Sequence, residues 1–170
     1  SYKGNLRNLT TGHWLNDIEA YGLRGKIKLV LSDALKFTLN GSYAKTTQDG
    51  TATSIRYINP NGTPRALGNA ALPLVPSLTG ITPGEGNFNV RVDSEAPTTN
   101  TTGSIAGKFE LDLGSASLIA VTGYQDWKYN FQNDVDNTDL NINNVLSGGT
   151  ANGGIVQSGP YHSRSFTQEL

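Results

Sequence analysis

Polar and apolar residues alternate along YGLRGKIKLVLSDALKFTLNGSYAK, Tyr21 to Lys45, in two opposed runs. Tyr21, Leu23, Gly25, Ile27, Leu29 and Leu31 are separated by Gly22, Arg24, Lys26, Lys28 and Val30. Beyond Ser32, Asp33 and Ala34, the residues Leu35, Phe37, Leu39, Gly41 and Tyr43 alternate with Lys36, Thr38, Asn40 and Ser42. A period of two puts each set on one side of a strand. The stretch therefore predicts a hairpin with one apolar face, its strands running from Glu19 to Leu31 and from Leu35 to Thr46. A third strand is predicted from Ser104 to Leu111, with Ile105, Phe109 and Leu111 on one face against Lys108 and Glu110. A fourth covers Ala116 to Phe131 and is apolar on both faces as far as Gln125, so the pattern does not assign its faces. A fifth begins near Arg164, where Phe166 and Leu170 share a face. Ser1 to Asn16 is polar and loop-like.

The connections alternate strictly in length. Ser32-Asp33-Ala34 and Asp112-Leu113-Gly114-Ser115 are tight turns, whereas Thr47 to Gly103 and Gln132 to Ser163 are long. The first long connection carries six of the seven prolines, and such a loop is unusual in a compact domain unless it has a function. Keeping the apolar sets together leaves two registers for the first hairpin, Leu31 beside Leu35 or Leu31 beside Phe37.

A sheet with one wet face around an ordinary core would show the same alternation. Three features favour lipid instead. The strands are long enough to cross a bilayer at a tilt. Tight turns on one side oppose long loops on the other, as in outer-membrane barrels. Aromatics gather near the loop ends of strands, Tyr21 and Tyr43 in the first hairpin and Tyr124, Trp127 and Tyr129 in the fourth strand, like an interfacial girdle. Facing Arg24, Lys26 or Lys28 to lipid would cost roughly 2–4 kcal/mol each near the midplane. Leu23, Ile27, Leu29 and Leu31 are thus expected to face outward and the basic side chains inward.

Composition adds exclusions. Twenty glycines favour strands and loops, and the absence of cysteine rules out disulfides and thiolate metal sites within this chain. A net charge of −1 gives no general attraction to nucleic acid. No apolar run is long enough for a transmembrane helix. With no initiating methionine or signal-like opening, SYKGNL and SFTQEL both look cut from a longer protein.

LNDIEAYGLRGKIKLVLSDALKFTLNGSY resembles the barrel of TonB-dependent outer-membrane receptors. In that family a loop ending in Asn-Asp leads into a strand reading aromatic-x-x-Arg-Gly-Lys. A turn around Asp-x-Leu follows, then an outgoing strand ending in Tyr. LDLGSASLIAVTGYQDWKYNFQNDVDNTDL is similar to the family's Asp-Leu-Gly turn, Thr-Gly-Tyr strand and acidic loop opening, and SFTQEL to the start of a following strand, with Thr167 for the commoner Ser.

The resemblance implies an all-β fold: about five antiparallel strands of a transmembrane barrel of about twenty-two, with two long extracellular loops. Residues 1–170 would be part of that barrel domain, without the plug domain and TonB box. It implies a receptor in the outer membrane of a Gram-negative bacterium, with membrane lipid as one partner and the TonB complex, reached through the plug, as another. The cargo would be a scarce extracellular small molecule such as a ferric siderophore, cobalamin or an oligosaccharide. It implies active transport, including siderophore and iron uptake, with no enzyme activity, no cofactor and no nucleic-acid partner. A surface β-rich binding or adhesin module and a passive porin are the alternatives.

Candidate chemistry is sparse. Asp134, Asp136 and Asp139 supply oxygen ligands at suggestive spacing, but NDVDNTD lacks the glycine and glutamate of a calcium loop, and a solvated loop is the simpler reading. GITPGEG lacks the Lys-Ser/Thr of a phosphate cradle. His13 and His162 are isolated in sequence and expected in loops, and no Ser-His-acid set suggests nucleophilic catalysis. Asp112 and Asp126 are expected to serve turns near strand ends. Asn8, Asn40, Asn61 and Asn100 open glycosylation sequons that a bacterial outer-membrane chain would not normally use. Arg56, Tyr57, Arg65 and Arg91 are possible loop contacts for cargo: basic residues suit anionic chelates and aromatics suit sugars. None is assigned to a binding, catalytic or metal site.

Overall fold

A computed structural model describes residues 1–50, 52–57, 66–67, 70–71 and 79–170. The described chain is predominantly β, with one short helix. In order, the elements are β1 (Leu6–Asn8), β2 (Trp14–Leu15), β3 (Asp17–Val30), β4 (Leu35–Asp49), β5 (Ala66–Leu67), β6 (Ala70–Ala71), β7 (Asn89–Val90), β8 (Thr98–Asp112), β9 (Ser117–Asp134), α1 (Ile142–Leu146) and β10 (Val156–Glu169). All five expected strands are present, and each is longer than the alternation indicated. The two long connections also contain short elements of their own.

The chain divides into two compact units. One comprises Ser1–Glu19, Thr47–Thr98 and Phe131–Gly159; the other comprises Ala20–Thr46, Thr99–Asn130 and Pro160–Leu170. In the first, β1 pairs antiparallel with β2, Leu6 opposite Leu15, and parallel with β7, Asn8 opposite Val90. Leu6, Leu15, Val90 and Val92 form its core, with Ala52 packed against them. Gly4 is required there because a Cβ at that position would run into the Leu15 carbonyl oxygen. β5 and β6 pair as a small antiparallel ladder.

The second unit contains the long strands, which belong to a five-stranded sheet in the order β10-β9-β8-β4-β3. Its first turn is tighter than expected. The Leu35 amide donates to the Ser32 carbonyl (3.3 Å), and both Leu31 and Ser32 amides donate to the Leu35 carbonyl, at 2.9 and 3.2 Å. Two amides on one carbonyl mark a β-bulge, and the turn itself is only Asp33-Ala34. The Leu31–Leu35 bond selects the first of the two registers. Further along, a Cβ added to Gly22 would meet the Cα and Cβ of Ala44 at 3.5 Å, as the same register requires.

The second turn is Gly114-Ser115. The Leu113 amide donates to the Ala116 carbonyl (2.8 Å), and Asp112 Oδ1 accepts from the Gly114 amide (2.8 Å). Gly114 adopts φ +82°, the left-handed conformation that suits glycine at such turns. Asp112 therefore has the turn role expected of it. From there β8 and β9 stay in register without interruption, from Asp112 opposite Ser117 to Thr99 opposite Asn130. Among the described residues β3 and β10 are the edges of this sheet, and an edge strand tolerates Pro160.

Candidate functional site

Strand register sorts the side chains of the second unit onto two faces. Phe37 and Phe109 rings pack at 4.6 Å between centroids, and the Ser42 and Ser104 hydroxyls bond at 2.7 Å, which aligns β4 with β8. On β9, Ile105 faces Tyr124 and Leu111 faces Leu118. A Cβ on Gly123 would lie 2.9 Å from Thr167 Oγ1, so Thr167 shares a face with Gly123 and Phe166 lies on the other, with Tyr124. One face thus carries Leu23, Ile27, Leu29 and Leu31; Leu35, Phe37 and Leu39; Ile105, Phe109 and Leu111; then Leu118, Tyr124 and Phe166. Its members are open: Leu23 is 70% exposed, Ile27 57%, Ile105 51% and Phe166 65%. The other face carries Arg24, Lys26 and Lys28, with Lys36, Thr38, Asn40 and Ser42 on β4 and Ser104, Lys108 and Glu110 on β8. Lys108 and Glu110 form an ion pair there at 2.9 Å. Ile119 and Val121 of β9 also lie on this side, which is why the fourth strand looked apolar on both faces.

The aromatic residues divide between the faces. Tyr21 and Tyr43 (centroids 6.3 Å apart) cap the apolar face beside the loop ends, and Tyr124 joins that face opposite Ile105. Trp127 and Tyr129 do not. They stand opposite Thr102 and Asn100, on the polar face, so the girdle expected from sequence loses two members. The two rings stack on each other at 5.9 Å and 5°, Tyr161 continues the stack at 6.3 Å and 26°, and Trp127 Nε1 donates to Asn100 Oδ1 at 2.8 Å.

Two expectations about single residues fail on the same strands. His162 lies within β10, not in a loop, and Asp126 lies inside β9, away from any turn. Asp126 Oδ2 is shared by His162 Nε2 (2.8 Å) and Arg164 Nε (3.1 Å), with Lys128 Nζ 3.8 Å from Oδ1. By the β9–β10 alternation this cluster continues the apolar face beyond Tyr124, where charge begins.

In the first unit, side chains tie distant loop segments together. Asn8 is fully buried: its amide donates to the Val92 carbonyl (2.9 Å) and Glu95 Oε1 (2.5 Å), while Oδ1 accepts from the Thr10 and Val92 amides. Glu95 also accepts from Thr11 and pairs with His13 Nδ1 at 2.9 Å. Burial pushes the Glu95 carboxyl up, but the hydrogen bonds from Thr11, Asn8 and His13 outweigh it and hold it below the usual range. His13 is in a loop, as expected.

Arg91 grips Asp139 through Nε (2.8 Å) and Nη2 (2.7 Å), and Thr10 Oγ1 donates to the same oxygen at 2.8 Å. Burial raises the Asp139 carboxyl; these bonds more than reverse that. Arg91 is therefore a structural clamp, and Asp139 stands apart from the two aspartates it accompanies in sequence. Arg56 reaches the Gly84 and Glu85 carbonyls, Tyr57 is 77% exposed, and Arg65 and Asn61 lie outside the described residues.

Asp134 and Asp136 meet Asp93, a residue the spacing argument missed. Asp136 accepts from the Ile155 (2.7 Å) and Thr138 (3.0 Å) amides, and Asp93 from the Gly154 amide (2.8 Å). Asp134 Oδ1 accepts from the Asn137 amide (2.7 Å); its Oδ2 is buried without a partner. Burial, then the charge of Asp136, pushes Asp134 up to about 6, and the same two causes raise Asp93. Among the described residues no group of three or more such side chains has the geometry to hold a metal ion. The amides of Thr138, Ile155, Gly154 and Asn137 meet these carboxylates. The chain matches no known protein family, no curated protein and no solved structure.

Proposed function

We propose that this chain is part of the wall and outer loops of a transmembrane β-barrel in the outer membrane of a Gram-negative bacterium, from a TonB-dependent receptor that imports a scarce small molecule. The observation that carries this reading is the long-stranded sheet with one continuous, open apolar face and one polar, largely basic face. From Leu31 to Tyr21 the apolar row of β3 runs roughly 34 Å along the strand, and at a tilt near 40° it is about 26 Å tall. The outward apolar band of outer-membrane barrels is about 25 Å tall. Tyrosines at the loop-side limit of the row, and the charged Asp126 cluster that begins in the Tyr43 row of the sheet, suit a membrane boundary at that level. In this reading Arg24, Lys26 and Lys28 face the lumen, the tight turns face the periplasm, and the Asn8 and Asp139 networks brace the outer loops.

The receptor assignment rests further on the resemblance of the first hairpin and the β8–β9 segment to that family. The protein is then a transporter, with the TonB complex and membrane lipid as its partners. The test is electrophoresis of the full-length protein extracted in mild detergent. Faster migration of the unheated than of the boiled sample supports a barrel. Recovery as a soluble monomer without detergent contradicts one.

A further inference from the structure

The stacked rings of Trp127, Tyr129 and Tyr161 are left unexplained by lipid. Aromatic girdles serve the outward face, and Tyr21, Tyr43 and Tyr124 already lie there. Trp127 and Tyr129 lie on the opposite face, opposite Thr102 and Asn100. There the rings form a continuous stack, at 5.9 Å between the first two and 6.3 Å to Tyr161, and Tyr161 is 57% exposed.

We propose that Trp127, Tyr129 and Tyr161 form a stacking platform for the ring of a neutral sugar. This rests on the reading above, in which the polar face lines the lumen. The surroundings choose the ligand class. Ser104 and Gln125 stand opposite each other next along this face, so the platform is bordered by hydroxyls and amides: Asn100, Thr102, Ser104 and Gln125. The charged residues of these strand segments, Asp126, Lys128, His162 and Arg164, alternate onto the other face and are engaged with one another. Among the described residues of these segments no cation stands beside the rings; the basic side chain at their border is Arg24, which lines a hollow with Ser42, Ser104 and Ala106. A pyranose presents C–H groups from its flat side to an aromatic face and hydroxyls at its rim to amides and hydroxyls. Convergent neutral polar groups around an aromatic surface are the ordinary composition of such a site. The hydrogen bond from Trp127 Nε1 to Asn100 fixes the indole orientation, so the platform is set before the ligand arrives.

The experiment uses the full-length protein in detergent micelles, with its gel mobility checked heated and unheated. Maltohexaose, cellohexaose and xylohexaose are titrated by calorimetry and by tryptophan emission, with a ferric tris-catecholate as the anionic comparator. At least one hexaose is expected to bind, with a change in emission. Tyr161→Ala, on an exposed ring, should weaken that binding about tenfold, the worth of one aromatic contact. Trp127→Phe should weaken it less than Trp127→Ala. Failure of all three sugars to bind overturns the proposal, as does sugar binding indifferent to both positions. Binding of the ferric chelate that depends on these rings also overturns it. A heat-modifiable protein that binds none of the sugars keeps the barrel and loses the platform. A protein that binds sugar through the rings without heat-modifiable mobility keeps the platform and loses the barrel.

Discussion

Ile27→Arg separates a lipid-facing sheet from one bathed in water. Ile27 lies on the apolar face of β3 and is 57% exposed, so no described residue packs tightly enough against it to resist the change by steric conflict. Its depth follows from the strand. At about 3.4 Å per residue and a tilt near 40°, Ile27 lies roughly 10 Å from the level of Leu31 and 16 Å from that of Tyr21. That is close to the middle of the apolar band, where an arginine facing lipid costs about 2–4 kcal/mol. The same substitution on an exposed strand in water should change stability by no more than about 0.5 kcal/mol. The assay is urea titration of the full-length protein folded into phospholipid vesicles, scored by heat-modifiable mobility. Lys28→Leu, one residue along and on the polar face, serves as the control and should shift the midpoint little. A loss for Ile27→Arg no larger than that of the control would refute the assignment of faces.

Asp134→Asn should stabilise the loop that follows β9 by up to about 3 kcal/mol at neutral pH, from a carboxyl raised from 3.8 to about 6. The folded loop holds this proton more tightly than the unfolded chain. Stability of the unaltered protein should therefore fall as pH rises from about 4 to about 6, and the advantage of the asparagine should vanish below about 4. Amide hydrogen exchange over residues 132–156 at several pH values measures both. Arg91→Ala leaves half-buried Asp139 with Thr10 alone and should cost about 1–3 kcal/mol, seen as faster proteolysis of the loops with strand mobility on gels unchanged. Gly4→Ala forces a methyl against the Leu15 carbonyl and should loosen the β1–β2 pairing by about 1–3 kcal/mol, read as lost exchange protection at Asn5 and Asn8.

The two faces of the first hairpin were legible because leucines and lysines alternate there without interruption. Where both faces turn polar the alternation has no contrast, so the ends of β3, β4 and β8, at Asp17, Asp49 and Thr98, could not be placed. The start of β10 was hidden for the same reason, in a run holding Gly159 and Pro160. Trp127 and Tyr129 were misjudged because Ile119 and Val121 make β9 apolar on its polar side. Only the pairing with β8 counts the register through to the rings. The tie from Asn8 to Val92 and Glu95, and the clamp of Arg91 on Asp139, join residues far apart in the chain. No local spacing encodes them. Asp134 and Asp136 were visible as a pair, but Asp93 comes from the other long connection and carried no signal.

The chain contains no cysteine, so single cysteines along β3 report without competition from its own thiols. Spin labels at Leu23, Arg24, Gly25, Lys26, Ile27 and Lys28, in the full-length protein reconstituted in a bilayer, test the two-faced sheet directly. The account predicts strict alternation: labels at 23, 25 and 27 relaxed by oxygen dissolved in lipid, and labels at 24, 26 and 28 relaxed by a water-soluble nickel chelate. Equal access of the nickel chelate to all six positions would contradict it.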